Sequence, residues 1–402
     1  MLKNQLITPE GTKDFLFEEA AVREEVETLL HTLFKARGFS EVITPGLEFL
    51  DVFSVKGHSI PVEYMYKLSD HKGRLMVLRP DSTMPIARLC ATRLRAEQLP
   101  LRLSYNQTVY SQNRTLTGRS DEVKQAGVEL IGVAGLRADL EMTSLSVQAL
   151  QRCRQQNFRI EIGHIGIFNA LVDALGLDDA VREQLRLYIE AKNYPALNDL
   201  LDTFGSRHEA GVLKQLPRLF GGDGVFPEAE ALLEGTDAEQ PLFYLRSLYS
   251  KLDELGLGDC VTVDLGIVNR TDYYTGIVFK GYIEGHGEEV LSGGRYDRLV
   301  GQYGEETPAV GFAVNVDAVA RALLRNESAE RKAPQVLVFA DAGCEIEALH
   351  VLDRLVGEGK TAELATMESL PEAIRYAKAK GIDTIAQVAQ SGVSMCCVKE
   401  EI

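Results

Sequence analysis

An alternation of apolar and polar positions marks both sides of a tyrosine-rich turn. It runs over residues 263–267 before the turn and 277–281 after it, with Tyr273 and Tyr274 between. A period of two predicts strands with one buried face, so we expect a strand pair joined by this turn. Aromatic-rich hairpins are common, and two interpretations stay open: the tyrosines pack in a core, or they line a small-molecule pocket. Gly276, Gly293 and Gly294 would let the backbone approach a ligand closely.

The N-terminal third predicts one helix followed by strands. Apolar residues recur at three- and four-residue spacing over 17–37, which predicts an amphipathic helix. Residues 64–79 predict two strands around a turn, and 101–132 predict two strands joined by the polar loop 111–122.

Polar residues share one face of the strand that returns from this loop. Gln125, Gly127 and Glu129 alternate with the residues of the opposite face, so we expect them to face water or a polar ligand. Asp81 precedes a predicted helix that Ser82 or Thr83 would cap. The Asp81 carboxylate either stabilises the helix dipole or binds an ammonium group, and the first is commoner.

The predicted secondary structure changes in character at two places along the chain. From residue 165 to about 257 it reads as helices with short loops, including a loop at 220–227, which predicts a helical insertion between strands of one sheet. A polar linker at 326–334 precedes alternating β and α patterns. We therefore predict a core over 1–325 and a small α/β domain over 335–402.

Composition limits the function classes. The 402 residues are 45% hydrophobic, with no run of 18 apolar residues and no apolar N-terminal signal, so we expect a cytoplasmic protein without membrane spans. The net charge of −16 argues against a polyanionic partner. Six cysteines without a Cys-x-x-Cys pair favour reduced thiols, and no structural metal is expected.

Seven stretches in chain order resemble the catalytic core of class II aminoacyl-tRNA synthetases, and specifically histidyl-tRNA synthetase. They are TPEGTKD (8–14), GFSEVITPGLE (38–48), LRPDST (78–83), YSQNRTLTGRSDEVKQAGVELIG (110–132), TDYYTGIVF (271–279), SGGRYD (292–297) and GFAVNVDAV (311–319). The resemblance implies an α+β fold: an antiparallel sheet with flanking helices, the helical insertion, and a C-terminal domain similar to a truncated anticodon-binding domain. It also implies a homodimer that forms through the motif 1 region, 38–48.

The chain departs from the enzymes at three positions that contact ATP. Ser111 stands where motif 2 has its arginine, Asn269 where the histidine signature has one, and Ala318 where motif 3 has one. Cations placed where charge develops are central to this chemistry, and one lost contact can cost about 2.7–4 kcal/mol of barrier. Histidine adenylation is therefore not expected. Arg114 and Arg270 lie nearby but do not match the motifs.

The resemblance implies that the amino-acid side of the pocket is kept. Asp81, Thr83 and Gln125 would hold an α-ammonium group. Glu129 and Tyr274 would meet the two imidazole nitrogens, and Tyr273 would form a wall.

A synthetase-like body without its ATP arginines resembles the regulatory subunits of ATP phosphoribosyltransferase, the first enzyme of histidine biosynthesis. The resemblance implies a non-catalytic subunit without a cofactor that activates the short-form catalytic subunit in a hetero-octamer and mediates feedback inhibition by histidine. It implies no tRNA binding. Two alternatives stay open: a divergent histidyl-tRNA synthetase, and another synthetase-like amino-acid-binding module.

Overall fold

The computed structural model describes residues 7–55, 60–113, 120–268, 273–326 and 333–398. The chain divides into two compact units, Met1–Ser328 and Ala329–Ile402. In chain order the first unit contains α1 (Phe17–Ala36), β1 (Ser40–Glu41), β2 (Leu47–Phe49), β3 (Lys67–Ser69), β4 (Leu75–Leu78), α2 (Thr83–Thr92), β5 (Leu101–Tyr110), β6 (Glu122–Ile131), α3 (Leu136–Arg152), β7 (Phe158–His164), α4 (Ile165–Leu175), α5 (Asp179–Glu190), α6 (Tyr194–Asp202), α7 (His208–Gln215), β8 (Phe220–Gly221), α8 (Val225–Leu233), α9 (Glu239–Glu254), β9 (Val261–Asp264), β10 (Ile277–Ile283), β11 (Leu291–Arg295), β12 (Ala309–Asn315) and α10 (Val316–Asn326).

The first unit is built on one large sheet. Within the described residues its strand order is β1-β5-β6-β12-β11-β10-β7-β9-β8. The six strands from β5 to β7 pair antiparallel, whereas β1 joins β5 and β9 joins β7 in parallel. The predicted helix at 17–37 and the predicted strands at 64–79 and 101–132 are confirmed to within a few residues.

The predicted strand pair around the tyrosine-rich turn is wrong. β9 and β10 do not pair with each other, because β7 lies between them. In the register, Ile160 opposes Val261 on one side of β7, and Ile277 opposes His164 on the other. A period of two reports that one face of a strand is buried, but it carries no information about which strand is the neighbour.

Helices cover one face of the sheet. Apolar side chains of α1, α3 and α10, such as Leu30, Met142 and Val319, are fully buried against Val128 and other residues of the sheet. Each fully buried side chain of this size contributes about 1.5–3 kcal/mol relative to exposure. The opposite face carries α2 and a second apolar cluster that includes Met84 and Leu299.

The segment between β7 and β9 is mainly helical, from α4 to α9. The predicted loop at 220–227 is wrong in part, because Phe220 and Gly221 pair with β9 and α8 begins at Val225. So short a strand gives no periodic signal, and it exists because the edge of β9 is available to it.

A small separate sheet, β2-β4-β3, exposes apolar side chains. Phe49 and Leu68 both oppose Met76 and therefore lie on one face, together with Leu47. Leu47, Phe49 and Leu68 are 45%, 39% and 42% exposed, and Ile43 just before them is 82% exposed. We call these four residues the apolar face.

The second unit contains β13 (Val336–Ala340), α11 (Glu345–Gly357), β14 (Ala362–Leu364), α12 (Leu370–Lys380), β15 (Thr384–Ala389) and β16 (Gly392–Cys397). Its sheet has the order β14-β13-β15-β16, and one apolar cluster lies on each face, with side chains of α11 on one side and of α12 on the other. In the described part of the chain, no helix is long and apolar enough to cross a membrane.

Candidate functional site

A cavity of about 180 Å³ opens on the face of the large sheet that carries α2. A volume of roughly 150 Å³ accommodates a benzene-sized ring, so the cavity suits a small ligand with one ring. It is lined by Asp81, Thr83, Tyr105, Gln125, Glu129, Tyr273, Tyr274, Ser292, Tyr296, Gly311, Phe312 and Ala313. The structure thus brings together all six residues of the predicted amino-acid side, and it adds Tyr105, Ser292 and Tyr296.

The alternation along β6 aims the polar side chains at the cavity. Gln125 and Glu129 line it, while Ala126 and Val128 on the opposite face join the core beneath the helices. The predicted polar face of this strand is therefore confirmed. Gly127 lies between the two polar residues, and a side chain there would lie 2.5 Å from the Tyr105 hydroxyl.

Glu129 is the most enclosed acid of the site, with 1% of its surface exposed. The Thr83 hydroxyl donates to Oε1 at 2.7 Å, and the Tyr296 hydroxyl donates to Oε2. Desolvation raises the pKa of Glu129 to about 8; the two hydroxyl donors oppose this shift, and the charge of Asp81 adds to it. Gly311 on β12 makes room for the carboxylate, because a Cβ there would lie 1.7 Å from Oε2.

Asp81 both caps a helix and lines the cavity. Its Oδ1 accepts the backbone N–H of Met84 in the first turn of α2, at 2.7 Å. Desolvation raises the pKa of the Asp81 carboxyl to about 6, against hydrogen bonds from the backbone and from Tyr273. The two sequence interpretations of this residue are therefore compatible.

The predicted capping by Ser82 or Thr83 is wrong. Ser82 has helical backbone angles, with φ −97° and ψ −25°, and makes no capping bond with its side chain. A capping side chain normally requires an extended backbone at that position. The Thr83 hydroxyl instead donates a hydrogen bond to Glu129.

Four tyrosines enclose the ring-sized part of the cavity. The ring of Tyr273 lies 4.8 Å from that of Tyr274 and 5.8 Å from that of Tyr296, measured between centroids. Desolvation raises the pKa of Tyr273, Tyr274, Tyr105 and Tyr296 above the ordinary tyrosine value, so the four phenols remain neutral hydrogen-bond donors. The two interpretations of the tyrosine-rich turn are therefore not exclusive, because these rings pack on one another and also line the cavity.

The predicted role of the three glycines is wrong. A side chain at Gly294 would meet the Tyr274 ring at 2.7 Å, one at Gly293 would meet Phe312 at 2.4 Å, and one at Gly276 would meet Arg295 at 3.0 Å. These glycines admit neighbouring protein side chains, because the sheet is closely packed there. A glycine signal in the sequence does not distinguish a ligand from another part of the chain.

Two of the positions that correspond to the ATP contacts, Ser111 and Ala318, lie outside the lining of the cavity. Ala318 is fully buried in the core on α10. The backbone N–H of Ser111 donates to the Asp121 carbonyl at 2.8 Å. Asn113 donates to the Asp121 carboxylate from its backbone at 3.0 Å and from its side chain at 2.9 Å. Asn269, Arg114 and Arg270 lie outside the described residues.

The acid next to Ala318 has a structural role. Asp317 accepts from Arg23 of α1 at 2.6 Å and from the backbone of Lys124 on β6 at 2.8 Å. It therefore ties two helices to the sheet.

The described lining of the cavity holds two acids and none of lysine, arginine or histidine. Ionised carboxylates in a desolvated site need a cationic partner. The arrangement therefore suits a small ligand that carries positive charge, and the described residues contain no cluster able to hold a metal ion.

A buried ionic network adjoins the site and escaped the sequence analysis. Asp139 on α3 accepts from Arg295 at 2.9 and 2.5 Å, and Arg295 also donates to Asp297 at 2.9 Å. Tyr244 of α9 donates to the other Asp139 oxygen at 2.5 Å. The network fixes the end of β11 immediately before Tyr296. The sequence signal for this network was Asp139, an acid between Ala138 and Leu140 in the first turn of α3.

The sheet order, the flanking helices and the polar cavity define a class II aminoacyl-tRNA synthetase-like protein. The family model described as histidyl-tRNA synthetase matches residues 11–319. A histidyl-tRNA synthetase from Nostoc superposes with a TM-score of 0.79 over 99% of both chains at 20% identity, which shows the shared fold.

Two curated relatives narrow the family. An ATP phosphoribosyltransferase regulatory subunit from Clostridium kluyveri is 41% identical and covers 93% of this chain and 97% of its own. One from Bacillus mycoides is 39% identical, over 96% and 93%. A Bacillus halodurans structure described as an ATP phosphoribosyltransferase regulatory subunit/histidyl-tRNA synthetase covers 95% of this chain and 98% of its own, with a TM-score of 0.82 and 29% identity. The chain belongs to the histidyl-tRNA synthetase-like family of ATP phosphoribosyltransferase regulatory subunits, and the predicted α+β fold class is confirmed.

Proposed function

We propose that this chain is the non-catalytic regulatory subunit of a short-form ATP phosphoribosyltransferase, which it activates and subjects to feedback inhibition by histidine. The names of its relatives support the proposal that its partner is an ATP phosphoribosyltransferase. The observation that carries the histidine part is the cavity itself, which joins two acids to a cage of tyrosines and is ring-sized.

The ammonium group and the ring of histidine each have matching groups in the cavity. Asp81, Thr83 and Gln125 offer acceptors to an α-ammonium group. Glu129 and Tyr274 offer an acceptor and a donor to the two ring nitrogens. A ring in the cavity beside Tyr273 and Tyr274 also gains aromatic contact.

The ATP side supports a non-catalytic role. Ala318 is an uncharged residue of the core, and Ser111 is an uncharged residue where the enzymes have an arginine. A triphosphate would find a cation at neither of these two positions. We propose that the site recognises an amino acid and does not activate it.

The apolar face supports a homodimer through the motif 1 region. Leu47, Phe49 and Leu68 form exposed apolar surface on one small sheet, and Ile43 just before this sheet is also exposed. Exposed apolar surface of this kind marks protein interfaces. We propose that this dimer combines with catalytic subunits into a hetero-octamer of four copies each. Histidine would then regulate this assembly if the active and the inhibited forms of the assembly differ in their affinity for histidine.

The test combines this chain with a short-form catalytic subunit from the same organism. We expect the two chains to co-purify, phosphoribosyl transfer to require both, and histidine to inhibit the complex. Glu129→Ala should abolish inhibition while co-purification persists. The matched control is Glu254→Ala, which alters an exposed glutamate of α9 and should leave inhibition unchanged.

Two results would contradict the proposal. Histidine-dependent exchange between ATP and pyrophosphate by the chain alone would identify a divergent synthetase. Histidine binding without co-purification, and without histidine auxotrophy on loss of the chain, would identify an independent amino-acid-binding module.

A further inference from the structure

We propose that Tyr244, on helix α9 of the helical insertion, is a positioning residue for the pocket, and that the insertion and the pocket are thereby coupled. The connection is a chain of hydrogen bonds from Tyr244 through Asp139 to Arg295, which we call the link. This inference rests on the proposed function and adds the part of the chain that tunes the affinity of the pocket for histidine.

The link is centred on a fully enclosed acid. Asp139 on α3 has 0% of its surface exposed, and its two oxygens are divided between two partners. Oδ2 accepts from the Tyr244 hydroxyl at 2.5 Å, and Oδ1 accepts from the Arg295 side chain at 2.9 and 2.5 Å. Because the loss of a donor to a buried carboxylate is costly, this acid holds α9 and β11 in one arrangement.

Arg295 extends the link to the tyrosine-rich turn. Its backbone carbonyl accepts from the Thr275 backbone N–H at 2.7 Å. Its side chain fills the space beside Gly276, where a Cβ would lie 3.0 Å from the arginine Cδ. Thr275 directly follows Tyr274, which lines the cavity. We therefore expect the position of Arg295 to set the position of Tyr274.

The residues after Arg295 extend the link to the acid of the pocket. Asp297 accepts from Arg295 Nη1 at 2.9 Å, and its own backbone N–H donates to the Thr275 hydroxyl at 3.0 Å. Tyr296 stands between these two anchored residues, and its hydroxyl donates to Glu129. A shift of Arg295 should therefore reach Glu129 as well as the turn.

The insertion makes a second contact with the same turn. The backbone N–H of Ile165, the first residue of α4, donates to the Gly276 carbonyl at 3.0 Å. The ring of His164, one residue earlier, lies 5.7 Å from the ring of Tyr244 in an edge-on arrangement. The first and last helices of the insertion, α4 and α9, therefore meet behind the pocket, and we expect a displacement of α9 to be transmitted to the turn.

The coupling acts in both directions, because thermodynamic linkage is reciprocal. A substitution that releases α9 from Asp139 should weaken histidine binding. Conversely, histidine should stabilise α9, although this helix contributes none of the residues that line the cavity in the described structure.

The experiment compares two variants of the same helix in the purified complex. Tyr244→Phe removes the hydroxyl that reaches Asp139, whereas Tyr249→Phe, the matched control, removes a hydroxyl that lies beside Gly222. Both are measured where they are fully folded, so a difference in stability alone does not change the amount of binding-competent protein. We expect calorimetry to show histidine bound at least about fivefold more weakly by Tyr244→Phe than by the wild type, and with unchanged affinity by Tyr249→Phe.

Hydrogen exchange followed by mass spectrometry gives the reciprocal measurement. Histidine should slow amide exchange in the peptides of α9 that contain Tyr244 in the wild type and in Tyr249→Phe, but not in Tyr244→Phe. Equal affinities of the two variants, or exchange in α9 of the wild type that does not respond to histidine, would overturn this inference and leave the proposed function standing. Absence of histidine binding by the wild type would overturn both.

Discussion

The enclosed acid of the pocket should give the ligand-free protein a distinctive dependence of stability on pH. The perturbation is Glu129→Gln, which keeps the shape of the side chain and removes its titration. In the folded protein the pKa of Glu129 is about 8, compared with 4.5 for the unperturbed group. The folded state therefore binds this proton more tightly than the unfolded state. Its stabilising effect is complete below pH 4.5 and is lost as the pH rises through 8.

Comparison with Glu129→Gln over the window from pH 6.5 to 8 isolates this group. The pKa of the Asp81 carboxyl is about 6, and burial lowers the pKa of His164 to about 4, so both have largely finished titrating in the folded state. Stability changes by about 1.4 kcal/mol per unit of pH while one proton separates the two states. Because half of the Glu129 protons are already lost at pH 8, we expect the wild type to lose about 1.5 kcal/mol relative to Glu129→Gln across this window.

Urea unfolding followed by near-ultraviolet circular dichroism suits this measurement. The chain has 14 tyrosines and no tryptophan, and Tyr376 is the one tyrosine beyond residue 328, so the signal reports the first unit. Comparing variant with wild type cancels the titration of groups that do not interact with residue 129. Glu254→Gln, the exposed control, should run parallel to the wild type. Parallel curves for Glu129→Gln and wild type would refute the assignment of a raised pKa to Glu129.

Three further outcomes are expected. Gly311→Ala should cost about 1–3 kcal/mol of stability and abolish histidine binding, since its new methyl group would overlap the pocket glutamate; Gly287→Ala, in open space, should do neither. Asp139→Ala should lower the free energy of unfolding by about 3–5 kcal/mol because it leaves a buried guanidinium poorly paired, whereas Tyr244→Phe, which removes one hydrogen bond to the same carboxylate, should cost about 1 kcal/mol; equal losses in urea titrations would contradict this network. In the native protein a thiol reagent should modify the exposed Cys397 first and the buried thiols only after unfolding, as mass spectrometry of timed samples would show.

The sequence by itself determined the local elements and the chemical character of the site. Period-two alternation placed Gln125 and Glu129 on one face of a strand, and ordered motifs identified the synthetase-like fold. These features are readable because side-chain direction and motif order depend on nearby residues. The absence of arginine at Ser111 and Ala318 is likewise a property of the chain alone.

Only the tertiary structure decided which residues meet. β7, formed about 100 residues before β9, lies between the two strands that the alternation suggested as partners. Tyr105 and Tyr296 reach the pocket because sheet pairing brings β5 and the end of β11 to the same cavity. The space beside Gly311 is occupied by the Glu129 carboxylate, so both residues depend on one register. Desolvation, which raises the pKa of this acid, arises from the packing of several strands and loops together, and no single stretch of sequence contains it.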